Sequence, residues 1–113
     1  MKDEISWNDF EKIDIRVGTI IEAHLFEKAR KPAYQLHIDF GKEIGVKKSS
    51  AQITALYTTN ELVGRQIIAI VNFPKKQIAN FMSECLVLGV TGNDNEVVLL
   101  TTAKKCENGL PIG

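Results

Sequence analysis

Cysteine is scarce in this chain: Cys85 and Cys106 are the only two, and neither stands in a CxxC or Cys/His arrangement. A disulfide framework or a zinc site is therefore not expected to hold the fold together, and Cys85, inside an apolar run, reads as a buried thiol. No apolar run approaches the roughly 18 residues that a bilayer-spanning helix needs. The acidic, polar start MKDEISWNDFEK does not read as a secretory signal, so the expectation is a reducing, cytoplasmic location without membrane insertion. Catalytic signatures are missing too: there is no GxSxG, P-loop or HExxH. Asp14 and Asp39 read as turn partners at strand ends, and Ser83-Glu84 lacks the base and oxyanion hole that a nucleophile requires. His24 and His37 have no ligand at metal spacing. No catalytic residue, metal or cofactor is expected.

Net charge is absent as well, with 14 basic and 14 acidic residues. Its distribution is uneven. Residues 1–27 hold three basic and seven acidic side chains, a net of −4. Residues 28–76 hold nine basic and three acidic ones, a net of +6, and residues 77–113 return to −2. Such segregation builds a local basic field on a neutral protein, which a polyanion would feel.

With 113 residues the chain reads as one domain, 1–113. Ser6 followed by Asp9 predicts a capped short helix over residues 7–12. Residues 14–26 and 34–40 alternate in hydropathy and predict two strands; Gly18 marks a bend or bulge, and Gly41 ends the second strand. Residues 45–53 predict a third strand with a polar outer face, followed by a short helical stretch at 53–57. Asn60 then reads as the cap of one further turn that ends at Gly64. Residues 66–73 are apolar on both faces, as a central strand would be, and 83–89 form the fifth strand. A turn at 91–95 leads to a last strand at 97–100, and 104–113 reads as a tail on the surface. The sum is all-β: a five-stranded Greek-key barrel of OB type with an N-terminal helix, a small helical insertion and a C-terminal extension. A β-sandwich is the alternative.

The stretch between the last two apolar runs, Phe73 to Glu84, concentrates polar and basic residues. Lysines come in pairs, Lys47-Lys48 and Lys75-Lys76, and strand alternation lets one of each pair face a common ligand. Ser49, Ser50, Gln52, Asn72 and Ser83 supply hydrogen-bonding side chains nearby. Lysines of this kind neutralise phosphates, and the polar groups suit ribose, phosphate or base edges. Phe73, Phe81 and Met82 beside them are the residues expected of an apolar peptide groove. Trp7 and Phe10, three apart on the first helix, are the expected contact with a second copy.

The segments Asp14-Ile15-Arg16-Val17-Gly18-Thr19-Ile20, Leu36-His37-Ile38-Asp39-Phe40-Gly41, Val71-Asn72-Phe73-Pro74 and Ser83-Glu84 together resemble the tRNA-binding domain family. That family includes free-standing tRNA-binding proteins and C-terminal appendages of methionyl- and phenylalanyl-tRNA synthetases. With Lys48-Ser49-Ser50-Ala51-Gln52-Ile53-Thr54 added, the pattern is most similar to the CsaA branch, described as secretion chaperones. The resemblance implies an OB fold, a homodimer and tRNA binding without catalysis. For CsaA-like members it also implies unfolded preproteins and the export machinery as partners. Residue by residue, its basic segment falls on Lys75 with Lys76 beside it, its following serine on Ser83, and its Ser/Thr-rich strand on Ser49 and Ser50, preceded by Lys47 and Lys48; with Asn72 these are the expected RNA contacts. The chain departs from the pattern at Gln77 and Met82, where the branch often carries basic residues, and at Asn80, where glycine is common. The first two departures weaken the patch for phosphate. Asn80 is expected to hold the turn in the left-handed region.

Overall fold

In the computed structural model, which describes residues 1–113, the chain is organised on one long strand. β1 (Ile15–Leu25) pairs antiparallel along its first half with β4 (Gln66–Ile70) and along its second half with β2 (Tyr34–Asp39). β3 (Val46–Ala51) adds to β2, and β7 (Leu86–Val87) adds to β4, giving the order β3-β2-β1-β4-β7. A single sheet curls almost into a closed barrel, so the OB-type architecture holds and the sandwich does not.

The register of β1 departs from uninterrupted alternation. A bulge between Ile20 and Glu22 leaves Ile21 outside and turns Ala23, instead of Glu22, inward. One extra residue flips every side chain after it to the opposite face. Gly18 is not the bulge. A Cβ there would come within 2.6 Å of Ile38 Cγ2 and 2.7 Å of Phe40 Cε1, so its place is set by close approach of two strands. The core gathers Ile20, Leu36, Ile38, Phe40, Leu62 and Ile67, all fully buried, each worth roughly 1.5–3 kcal/mol of burial.

Helix α1 (Trp7–Glu11) starts at Ser6 with both arms of a capping box: Ser6 Oγ accepts from the Asp9 amide and the Asp9 carboxylate accepts from the Ser6 amide, each at 3.1 Å. A second short helix, α2 (Gly41–Ile44), occupies the β2–β3 connection where only a strand end was expected. Residues 54–56 form a non-helical turn in place of the predicted helical stretch. The cap of α3 (Thr59–Leu62) is Thr58, not Asn60, because Thr58 and Glu61 close a second capping box.

The segment from Phe73 to Glu84, read as a connection, contains a hairpin: β5 (Lys76–Ile78) against β6 (Phe81–Ser83). Its two-residue loop has a positive φ of 51° at Ala79 and not at Asn80, the sign pattern of a type II′ turn. Asn80 therefore does not hold the left-handed position expected of it. The strand read at 83–89 is split in two, β7 and then β8 (Gly89–Thr91), which forms an outer hairpin with β9 (Val97–Leu99) across the turn at Asn93–Asn95.

The C-terminal segment lies on the surface as expected, and it is fastened there. Gly109 donates to the Val17 carbonyl, Val17 to that of Leu110 and Ile112 to that of Ile15, at 2.7–3.1 Å. Gln66 grips the same segment: its Oε1 accepts from the Cys106 amide at 2.9 Å and its Nε2 donates to the Cys106 carbonyl at 2.6 Å.

Candidate nucleic-acid interface

The barrel closes where β3 meets the chain between β6 and β7, and side chains carry much of that seam. The Glu84 amide donates to the Lys48 carbonyl at 2.7 Å, and the Lys48 amide returns a bond to Glu84 Oε1 at 2.9 Å. Two residues on, the Ser50 amide finds no ladder partner across the seam and donates to Ser83 Oγ at 3.2 Å. An open groove of about 560 Å³ runs along this line, with Ser50, Gln52, Phe73, Lys75, Lys76 and Ser83 among the residues lining it.

Alternation on β3 sorts the expected site residues. Ser49 and Ala51 point into the barrel, and Ser49 is 1% exposed with its hydroxyl donated to the Cys85 carbonyl at 3.0 Å. Ser49 is therefore a core hydrogen bond and is withdrawn as an RNA contact. Lys48 and Ser50 take the opposite face, while Lys47 shares the parity of Ser49 and sits half-buried near the barrel rim.

Asn72 is also otherwise engaged. Its Oδ1 accepts from the Asp14 amide at 3.0 Å and its Nδ2 donates to the Lys12 carbonyl at 2.8 Å, tying α1 to the end of β4. Arg16 donates to Asp14 Oδ1 at 2.6 Å and to the Gly109 carbonyl at 2.9 Å. That hydrogen bond with Asp14 raises the Arg16 pKa above its ordinary value. The Asp-Ile-Arg-Val-Gly and Asn-Phe-Pro segments thus hold the frame together around the groove.

On the hairpin, Lys76 lies directly opposite Ser83, and Gln77 opposite Met82. The two departures from the family pattern are therefore cross-strand neighbours, and a neutral pair occupies one face of the hairpin. Phe81 is 7% exposed. It packs with Phe26 and Ala33, its ring 5.4 Å from that of Phe26, and Lys48 Nζ stands 5.1 Å above it. Burial removes Phe81 from any peptide groove; it belongs to a small apolar cluster beside the main core. Phe73, by contrast, is 53% exposed and Met82 38%.

Three features gain a role that their sequence context did not assign. Glu84 sets an acidic group against the basic groove: its carboxylate lies 3.5 Å from Lys75 Nζ. Burial opposes its ionisation, but the Lys48 amide and the Lys75 ammonium outweigh that and hold its pKa below the usual carboxylate value. Next, the loop at 27–32 carries Lys28, Arg30 and Lys31, and its Ala29 packs on the Phe26–Ala33–Phe81 cluster together with Ile78. More positive charge is thereby brought beside the β5–β6 hairpin. Finally, Gln52 lies between Lys31 and the groove, lining depressions shared with both. Trp7 and Phe10 pack against each other on α1 with ring centroids 5.5 Å apart and planes tilted by 41°, leaving Trp7 71% exposed.

No helix is long and apolar enough to cross a membrane, and no group of three or more His, Cys, Asp or Glu side chains is arranged to hold a metal ion.

Comparison with known proteins agrees with this architecture. The model of the putative tRNA-binding domain matches residues 15–111. The crystal structure of chaperone CsaA from Bacillus anthracis superposes with a TM-score of 0.93 at 47% identity, covering 98% of this chain and 100% of that one. CsaA chaperone protein from Picrophilus torridus superposes at 0.91 with 55% identity, covering 97% and 100%. A methionine–tRNA ligase of Chlorobium phaeobacteroides is 31% identical over 108 residues. That alignment takes in 96% of this chain and only 15% of the ligase, so the chain corresponds to a small part of such enzymes. The chain belongs to the tRNA-binding domain family.

Proposed function

We propose that this protein is a non-catalytic binder of folded tRNA that works as a homodimer, gripping RNA phosphates with the basic face around the β3–β6 seam. The observation that carries the reading is the convergence of Ser50, Lys75, Lys76 and Ser83 on one groove in a chain of the tRNA-binding domain family. Lys48 and the basic loop at 27–32 widen the positive surface, and Lys47 extends it toward the rim. Binding of this kind releases condensed counterions, so affinity falls steeply with salt. The test is tRNA affinity across a salt series for wild type and for Lys75→Ala with Lys76→Ala. The slope should flatten by roughly 0.7–0.9 for each phosphate that is no longer neutralised. An unchanged slope rejects this face. Pairing two barrels doubles the footprint by symmetry, with Trp7 and Phe10 as contacts; a monomeric mass by light scattering at micromolar concentration rejects the dimer.

A second reading, export chaperone for hydrophobic segments of unfolded preproteins, is supported by the exposed Phe73 and Met82 and by similarity to two proteins described as CsaA chaperones. It is tested by protection of an unfolded client from aggregation, which Phe73→Ser with Met82→Ser should remove. Either role suits a reducing, cytoplasmic setting.

A further inference from the structure

Of the five phenylalanines, Phe73 is the only one in the exposed class; Phe26, Phe40 and Phe81 are buried and Phe10 is half-covered. Its ring has no aromatic or cationic partner within the protein: the ring pairs and cation contacts present involve Trp7–Phe10, His24–His37, Phe26–Phe81, Lys48–Phe81 and Arg65–Tyr57. An unpaired aromatic face at the rim of a groove costs hydration and contributes nothing to the barrel core. The same groove is lined by Gln52, exposed, whose side-chain amide makes no hydrogen bond within the protein. Lys75 and Lys76 follow Phe73 closely in the chain and line the same groove. A flat apolar surface, a free amide and two ammonium groups, one of them shared with Glu84, around about 560 Å³ match the face and the edge of a base and the phosphate attached to it.

We infer that this groove takes a single unpaired nucleotide, its base stacked on Phe73, its edge hydrogen-bonded by the Gln52 amide and its phosphate held by Lys75 and Lys76. This rests on the RNA-binding reading and sharpens it from shape and charge to a base-dependent contact. Unpaired bases are read by aromatic stacking and by side chains on their exposed edges. A glutamine amide pairs in bidentate fashion with the adenine N6/N7 edge, so adenine is the base expected to bind best. A peptide in the groove would use the ring but has no need of the two cations beside it.

The test compares short single-stranded RNAs, oligo(A), oligo(U) and an abasic strand of the same length and charge, at one salt concentration, by fluorescence anisotropy. The wild type should bind oligo(A) roughly 5–150-fold more tightly than the abasic strand, the range that one stacked base supplies. Phe73→Ala should erase that ratio while leaving the salt slope unchanged, Phe73→Trp should preserve it, and Gln52→Ala should level oligo(A) with oligo(U). Equal binding of abasic and base-bearing strands by the wild type overturns the nucleotide pocket, and tRNA binding that still depends on Lys75 leaves the broader reading standing. Loss of client protection in Phe73→Ala with an unchanged oligo(A) ratio also overturns it and assigns the ring to peptides. If neither the oligonucleotides nor tRNA bind, both readings fall. Phe73 is exposed, so its replacement leaves the barrel core intact.

Discussion

Lys75 Nζ lies 3.5 Å from one oxygen of Glu84 while the other oxygen takes the Lys48 amide at 2.9 Å. One carboxylate thus ties β3 to the segment just before β5 and pairs with one of the groove's cations. Because the Glu84 pKa is lowered in the folded chain, the unfolded state binds the proton more readily. Its contribution to stability is present above the unfolded value of about 4.3 and is lost as pH falls through the lower folded value. Urea midpoints of wild type and Glu84→Gln should differ at pH 7 and converge in acid, once the pH has fallen through the lowered folded-state value. A gap that persists at low pH contradicts this role. The same substitution removes a negative charge from the face, so tRNA affinity at low salt should rise.

Ala79 occupies a position that glycine fills most easily, the first central residue of a type II′ turn, with φ at 51°. Replacing Ala79 with Gly relieves the left-handed strain and returns some unfolded-state entropy, a net gain of about 0.5–1 kcal/mol. The urea midpoint should rise with an unchanged m-value, and Asn80→Gly should not reproduce the gain. The opposite ranking would mean the turn is of another type.

The two thiols should behave differently toward alkylation. Burial pushes Cys85 up to about 12, so almost none of it is thiolate at pH 8, whereas Cys106 is only half-covered. Mass spectrometry after brief iodoacetamide treatment of the native protein should find Cys106 modified and Cys85 spared, with both modified in denaturant. Equal native rates would show that the barrel opens at Cys85.

Gln66 is the residue to remove to free the C-terminal segment. Besides Cys106, its amide reaches Asn108 Oδ1 and accepts from the Thr102 hydroxyl. Gln66→Leu leaves those partners unpaired, at a cost of about 1–3 kcal/mol, and should speed tryptic cleavage at Lys104 and Lys105. An unchanged cleavage rate would mean that the bonds of Gly109, Leu110 and Ile112 to β1 hold the segment on their own.

What could be read from the sequence followed the range of the signal. The Ser6–Asp9 capping box and the alternation of residues 34–40 are local patterns, and both stand in the structure. The β5–β6 hairpin is hidden in the sequence because its left-handed residue is an alanine, which carries no turn signal. Asn60 competes for the cap of α3 with Thr58, which offers the same chemistry two residues earlier and wins. Ser49 and Asn72 read as available for RNA because residue type alone does not reveal a partner. Theirs lie 36 and about 60 positions away, at Cys85, Asp14 and Lys12. The groove itself was partly legible: Lys75, Lys76, Ser50 and Ser83 do line it together, but the pairing of Glu84 with Lys75 and the Lys48 amide becomes visible only once β3 is laid against it.

The hydroxyl of Ser83 is at once a wall of the groove and the acceptor that satisfies the Ser50 amide. Occupancy and barrel closure therefore draw on the same atom. A guest that takes the place of that bond must unbutton the Ser50 N–H or satisfy it in turn, whereas one that uses the hydroxyl's second lone pair or its proton leaves the bond in place. The solvent exchange rate of that one N–H would distinguish the two kinds of guest at a single backbone position, without a label.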